Sequence, residues 1–495
     1  VSGQAGAIAD WGYRLTIWGL VIMTAFLLIL GIQRSTIDNK TIFYGLVVIN
    51  IMLIGYMVLL RSISMGILIY LYSLTFLNHY WRFVIPGRWP DIDLPRLMFI
   101  FIWLIILLET TVGGRRLLPR AKIEVAMTGV LIAILFVMLT RGNLAIRQFL
   151  NGYAIPYAMF VVAKNSFRAE KDVQRFLLWF AIPLSIYFPV NHIFEHYRIE
   201  SLIFPTYILK PEISGTVISW GERALGAFLQ PVATGMAINS IFVLSLYKTS
   251  RMKGLTPKLI RVFIVMTTPI AIFFTLTRSV YLGFFTALMV LFIWSPKQRR
   301  VAGLIILAAF LVVLGNWSNV TTSERSRGGV AVEETAMGRL VLAEVSMKMF
   351  MDRPFVGVGF TRFIEYSQPY VGTVRSTILG YREHWIGKEV NQHNELFCVL
   401  TEIGLIGFIP LLLIYGMMLR FLFKARSVKA ENYDSELVVS IIAIWAGYLT
   451  NIQFMVPRFY EFMNTLPFLL GGIIYGGYQR EMLKRHSLPH KGERS

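Results

Sequence analysis

A single cysteine, Cys398, occurs in 495 residues. That excludes an internal disulfide and any metal site built on thiolates, and its place in an apolar run marks it as a packing residue. Charge is scarce as well: Asp, Glu, Lys and Arg make up 15% of the chain, and 28 acidic residues face 48 basic ones. Soluble domains carry about a quarter charged residues. Neither a Gly-x-Ser-x-Gly elbow nor a phosphate-binding P-loop is present, and low-complexity tracts, a clear internal repeat and a soluble domain are missing too. One long polar interruption remains, between about 316 and 392.

What fills the chain is apolar. Hydrophobic residues make up 56%, and the mean hydropathy is +0.60. Apolar runs near the ~20 residues that a helix needs to cross a bilayer recur along the length. They predict an all-α polytopic membrane bundle of about fourteen transmembrane helices, at about 13–32, 41–60, 63–81, 95–112, 123–140, 145–163, 173–190, 226–247, 259–276, 279–294, 301–315, 396–419, 437–455 and 459–478. Tyr13–Ile32 is too long for a signal-peptide core and has no small-residue cleavage site, so it reads as a retained span. Four units follow: a scaffold over 1–220, spans with external arginines over 221–315, a long helical external loop over 316–395, and C-terminal spans with a tail over 396–495.

The net charge of +20 does not read as a nucleic-acid surface, because Lys and Arg sit in short clusters between apolar runs. Arg115/Arg116/Arg120/Lys122, Lys248/Arg251/Lys253/Lys258, Lys297/Arg299/Arg300 and Arg480/Lys484/Arg485 are the clearest of them. They read as topology and lipid-headgroup signals. With the long loop set aside, one side of the membrane holds about twice as many Lys and Arg residues as the other, which predicts both termini in the cytoplasm. The long loop then lies outside, as do the 191–225 segment and the tight turn at Arg278.

Several constellations on that outer side bear chemistry. Leu276-Thr277-Arg278-Ser279 sets an arginine where two spans meet, and Trp220-Gly221-Glu222-Arg223 sets another just before an apolar run. Arginine at membrane depth is costly and usually faces a partner or a wet cavity, so both are candidate anion clamps, against snorkelling and flanking charge as the plain alternatives. In the long loop, Leu340–Phe350 carries apolar residues at helical spacing, Arg339 precedes it, and Arg353-Pro354 ends it. His393 closes the loop; with an ordinary pKa of about 6.5 it can exchange a proton near neutrality. Gly357-Val358-Gly359 lacks a preceding strand and a third glycine, so it reads as backbone bending closely over the membrane or a ligand rather than as a nucleotide site. His192-Ile193-Phe194-Glu195-His196 has the His-x-x-Glu-His spacing of a zinc site but no third ligand in sight, and aromatic-belt and headgroup contacts by His192, His196, Tyr187 and Tyr197 are the preferred reading.

Taken in order, Arg223-Ala-Leu-Gly226-Ala-Phe228 with Pro231, Leu276-Thr-Arg278-Ser, Gly338-Arg339, Arg353-Pro354-Phe-Val-Gly357-Val-Gly359-Phe360, His393-Asn394-Glu395 and Glu402-Ile-Gly404-Leu-Ile-Gly407 resemble the O-antigen ligase and polymerase superfamily of membrane glycosyltransferases over roughly 220–420. Gln230-Pro231-Val232 and Thr277-Arg278-Ser279 depart from its commoner Asn-Pro-Asn and Ser-Arg-Gly. The resemblance implies inverting, metal- and cofactor-independent transfer of an undecaprenyl-diphosphate-linked glycan to a sugar hydroxyl on a glycan or on lipid A-core. It also implies the bacterial inner membrane, a periplasmic active site, and no nucleic-acid partner. Arg223, Arg278 and Arg339 would hold the diphosphate and Arg278 and His393 would be catalytic, with Asn394, Glu395, Gly357 and Gly359 in support. His393 would take the proton of the attacking hydroxyl or else orient the diphosphate. The length and the span count favour a polymerase over a ligase. A lipid-linked oligosaccharide flippase is the rival from another class, weakened by the lack of charge in the middle of most spans.

Overall fold

The computed structural model describes residues 63–77, 82–83, 92–111, 116–142, 144–209, 223–315, 333–374 and 392–487. The expected spans at 13–32 and 41–60 and the middle of the long loop lie outside these residues. Within them the chain is helical apart from a two-residue antiparallel ladder, β1 (Arg82–Phe83) with β2 (Ile92–Asp93). The helices are α1 (Ile63–Phe76), α2 (Leu94–Thr111), α3 (Lys122–Arg141), α4 (Ile146–Phe149), α5 (Ile155–Ser166), α6 (Glu170–His196), α7 (Pro231–Arg251), α8 (Leu255–Phe274), α9 (Arg278–Trp294), α10 (Arg299–Gly315), α11 (Glu333–Asp352), α12 (Phe363–Val374), α13 (Glu395–Glu402), α14 (Leu405–Ala425), α15 (Ser435–Asn451) and α16 (Glu461–Ser487). A π-helical turn, Leu150–Ala154, joins α4 to α5.

By length and composition, α2, α3, α6, α8 and α14 can each cross a membrane, and α1, α9 and α15 are shorter apolar helices. The remaining central helices are less apolar because they are buried in protein rather than lipid. Helix α7 buries Thr234, Asn239, Ser240 and Ser245, and nearly every residue from Pro231 to Thr249 is enclosed. Outward faces elsewhere are bare and greasy: Ile132 and Leu139 on α3, Leu259 and Met266 on α8, Leu304 and Leu311 on α10, Ile409 and Leu413 on α14. Exposed apolar area spread over so many helices marks a lipid-facing belt.

Helix boundaries follow local chemistry. Gln230 accepts from the Ala233 amide at 2.9 Å with Pro231 at the first helical position, so the departure from Asn-Pro-Asn still provides a cap. Asp434 caps α15 through the Leu437 amide at 2.9 Å. The run expected as one helix over 396–419 is two, broken at Ile403-Gly404, where Gly404 sits at φ +71°. A Cβ there would collide with the Phe355 carbonyl, so the break needs glycine.

The described residues of the basic clusters collect at one end of the bundle, where Lys164 and Gln479 both donate to the Pro119 carbonyl and Gln298 to that of Leu246. Arg251 there bridges Glu170, at 2.6 Å, and Asp434, tying together α7, α6 and α15. Lys164 pairs with Glu124 at 2.6 Å at the same end. Antiparallel packing of α9 on α15, where a Cβ on Gly283 would meet Asn451, carries the start of α9 and the residues after α15 to the opposite end. That end also holds the close of α3, α6 and α8 and the long-loop helices.

Candidate active site at the loop end

Three corners build the loop end. The first is Arg223-Ala224-Leu225-Gly226, which runs into α7. Glu195, on the last turn of α6, accepts from the amides of Leu225 at 2.6 Å and Gly226 at 2.8 Å. Thr234 donates to the Leu225 carbonyl at 2.6 Å, and Tyr207 to that of Ala227 at 2.5 Å. Gly226 adopts φ +66°, and a Cβ there would strike Thr234. Arg223 lies within electrostatic reach of Tyr281.

The second corner joins α8 to α9. Leu276 takes the left-handed conformation at φ +44°, and Arg278 is the first residue of α9. The amide of Ala224 donates to the Phe274 carbonyl at 3.2 Å, and Tyr281 to that of Phe273 at 2.7 Å. The Ala224 backbone bond therefore attaches the Arg223 corner to the Arg278 corner. An arginine beside a helix N-terminus adds its charge to the positive end of the dipole, a setting that attracts anions.

The third corner is the long loop. Helix α11 packs through Val341, Val345 and Met349 against Val358 and Phe363. The side chain of Gln392 donates to Ser346 and to the Leu342 carbonyl, so the end of the loop is held to that helix. Arg339 sits 5.1 Å over the Phe454 ring, just beyond α15. His393 is an exposed residue whose backbone amide donates to the Gln392 side chain at 2.9 Å. Desolvation, and then the Arg339 guanidinium, hold its imidazole below the ordinary value, which favours the neutral form. Arg339 and His393 thus form a second pair, linked to the first through α9 and α15.

The expected supporting residues have structural partners. Asn394 caps α13 by accepting from Leu396 and Phe397 at 2.9 and 3.1 Å. Glu395 is buried, accepts from the Tyr153 hydroxyl, and its amide donates to Ile452 at 2.9 Å. Gly357 and Gly359, at φ +69° and +125°, bend over protein backbone: Val358 donates to Thr401 at 2.9 Å and Gly359 to Glu402 at 3.0 Å, while Leu405 donates to Pro354 at 2.8 Å. The Arg-Pro-Phe-Val-Gly-Val-Gly run is a clasp across the break between α13 and α14.

Sequence reasoning missed the group at the centre of that clasp. Arg458 is 2% exposed and forks onto Glu402, Nη1 to Oε2 at 2.5 Å and Nη2 to Oε1 at 3.0 Å. It also reaches Cys398 Sγ at 3.1 Å, and Glu402 takes the Thr361 amide at 2.8 Å. The signal available was an arginine in Pro457-Arg458-Phe459, between two spans. Removing one partner of a buried bidentate pair strands the other charge, so Arg458→Ala should lose about 3–5 kcal/mol of stability. The Arg458→Met/Glu402→Gln double variant should recover much of it, as read by thermal melting in detergent.

Within the His-x-x-Glu-His stretch, His192 makes no headgroup contact. His192 is fully buried, His196 stacks on Phe274 with ring centroids 3.8 Å apart, and Glu195 is engaged as above. Tyr187 donates to the Phe204 carbonyl at 2.6 Å. Among the described residues no group of three or more His, Cys, Asp or Glu side chains is placed to hold a metal.

Residues 262–412, from α8 into α14, match the family profile described as O-antigen ligase. No curated protein matches the chain.

Proposed function

We propose that this chain, whose residues 262–412 match the O-antigen ligase profile, is a membrane enzyme of surface polysaccharide synthesis that transfers an undecaprenyl-diphosphate-linked glycan, with inversion, to a sugar hydroxyl at the loop end of the bundle. The observation that carries this reading is the gathering of Arg223, Arg278, Arg339 and a neutral His393 at the end opposite the basic clusters. By the positive-inside rule that end is periplasmic and both termini are cytoplasmic.

In the reaction the acceptor hydroxyl attacks the anomeric carbon from the face opposite the diphosphate. The bond from that carbon to the phosphate oxygen breaks, and its electron pair leaves with undecaprenyl diphosphate. Guanidinium groups bind phosphate bidentately and stay charged at any working pH, so Arg223, Arg278 and Arg339 stabilise the charge that grows on the leaving group. His393 accepts the hydroxyl proton; an imidazole kept neutral by desolvation and by Arg339 is ready to do so.

The favoured acceptor is a second lipid-linked repeat, which makes the protein a polymerase. The test supplies purified protein with lipid-linked oligosaccharide alone or together with lipid A-core. Longer chains are expected in the first case; modified lipid A-core alone would make it a ligase. No release of undecaprenyl diphosphate with either acceptor would sink the transferase reading.

A further inference from the structure

In the His-x-x-Glu-His stretch, Glu195 accepts through its two carboxyl oxygens from two adjacent backbone amides. Those amides, Leu225 at 2.6 Å and Gly226 at 2.8 Å, belong to the corner that begins with Arg223. The next residue, His196, lies flat on Phe274 at 3.8 Å, and the Phe274 carbonyl takes the Ala224 amide. Three consecutive amides after Arg223 are thus fixed by the last turn of α6, two directly and one through the ring on which that turn rests. A carboxyl group with 12% side-chain exposure that accepts two amides is a strong anchor, since breaking either bond would leave a buried backbone donor unpaired.

We propose that Glu195 is a positioning residue for the lipid-diphosphate donor, acting through the Arg223 corner. The inference rests on the functional reading above and deepens it. The carboxylate fixes the direction in which the backbone leaves residue 224, and His196 with Phe274 ties that direction to the start of α9. Arg223 and Arg278 consequently keep one spacing, and two guanidinium groups at a fixed spacing are what a diphosphate, rather than a single phosphate, requires. A displacement of about 1 Å in such a group is enough to cost about a hundredfold in rate. Acceptor binding would not depend on Glu195.

The test compares wild type, Glu195→Gln and Glu195→Ala in lipid nanodiscs. Initial rates are measured against the lipid-linked donor and separately against the acceptor, and amide hydrogen exchange is followed over 223–228. In Glu195→Ala, kcat/KM for the donor should fall by about a hundredfold with acceptor KM within about twofold of wild type, and the 223–228 amides should exchange faster. Glu195→Gln keeps one amide-accepting oxygen and should lie between. Equal losses toward donor and acceptor in Glu195→Gln would overturn the proposal in favour of a general structural role. Unchanged exchange over 223–228 would overturn it whatever the activity. A wild-type protein without transfer activity would instead remove the functional reading, with the exchange result still deciding the anchor.

Discussion

Replacing His393 by alanine should lower the rate of glycan transfer by about 10²–10⁴-fold, the range of a lost general base, while the protein still folds. Folding should persist because His393 is an exposed residue and its hydrogen bond to Gln392 is made by the backbone amide, which alanine keeps. The pH dependence separates a base from a diphosphate ligand. A base must be neutral, so activity rises with pH through the histidine pKa and levels off above it. Burial and the Arg339 charge hold that pKa down, which places the acid limb of kcat/KM below about pH 6.5. Arg339→Ala removes a positive charge and should move the limb toward higher pH, besides lowering the plateau. A histidine that bound diphosphate as the imidazolium would show the opposite limb, with activity falling as pH rises.

Helix positions were legible because lipid and protein interiors both demand apolar residues, so the expected spans on described residues fall on helices, the 396–419 run being divided between α13 and α14. Hydropathy does not distinguish the two surroundings. It gives α7 and α10 equal standing as spans, although α7 is enclosed on all sides and α10 is almost bare. Partners far apart in sequence were illegible for a different reason. Arg458 and Glu402 are 56 residues apart, and nothing local signals that one fork will close on the other. The glycines at 357 and 359 announced close approach but not its object, which is the backbone of Thr401 and Glu402. Asn394 beside His393 reads as chemistry in sequence, whereas its side chain caps a helix. The arginines at 223 and 278 could be assigned to one face by counting charge. The backbone bond between their corners, from Ala224 to Phe274, comes only from folding.

That bond gives the second large effect its form. Arg278→Ala should reduce transfer by about 10²–10³-fold, the cost of losing one preorganised donor to a developing negative charge. Arg278→Lys should recover little of it: an ammonium keeps the charge but replaces a planar fork with a point, and its flexible stem gives up the fixed spacing from Arg223. If the arginine merely snorkelled to the interface, lysine would serve as well and both variants would retain near-normal rates. The loss should appear in kcat more than in donor KM, because leaving-group charge is greatest in the transition state. Raised salt should change the donor KM of the wild type modestly and hardly alter the ratio of wild-type to variant kcat, since a half-buried guanidinium at a helix start is screened less than a surface charge. A ratio that collapsed at high salt would assign Arg278 to long-range attraction of the donor and leave Arg223 and Arg339 to meet the leaving group.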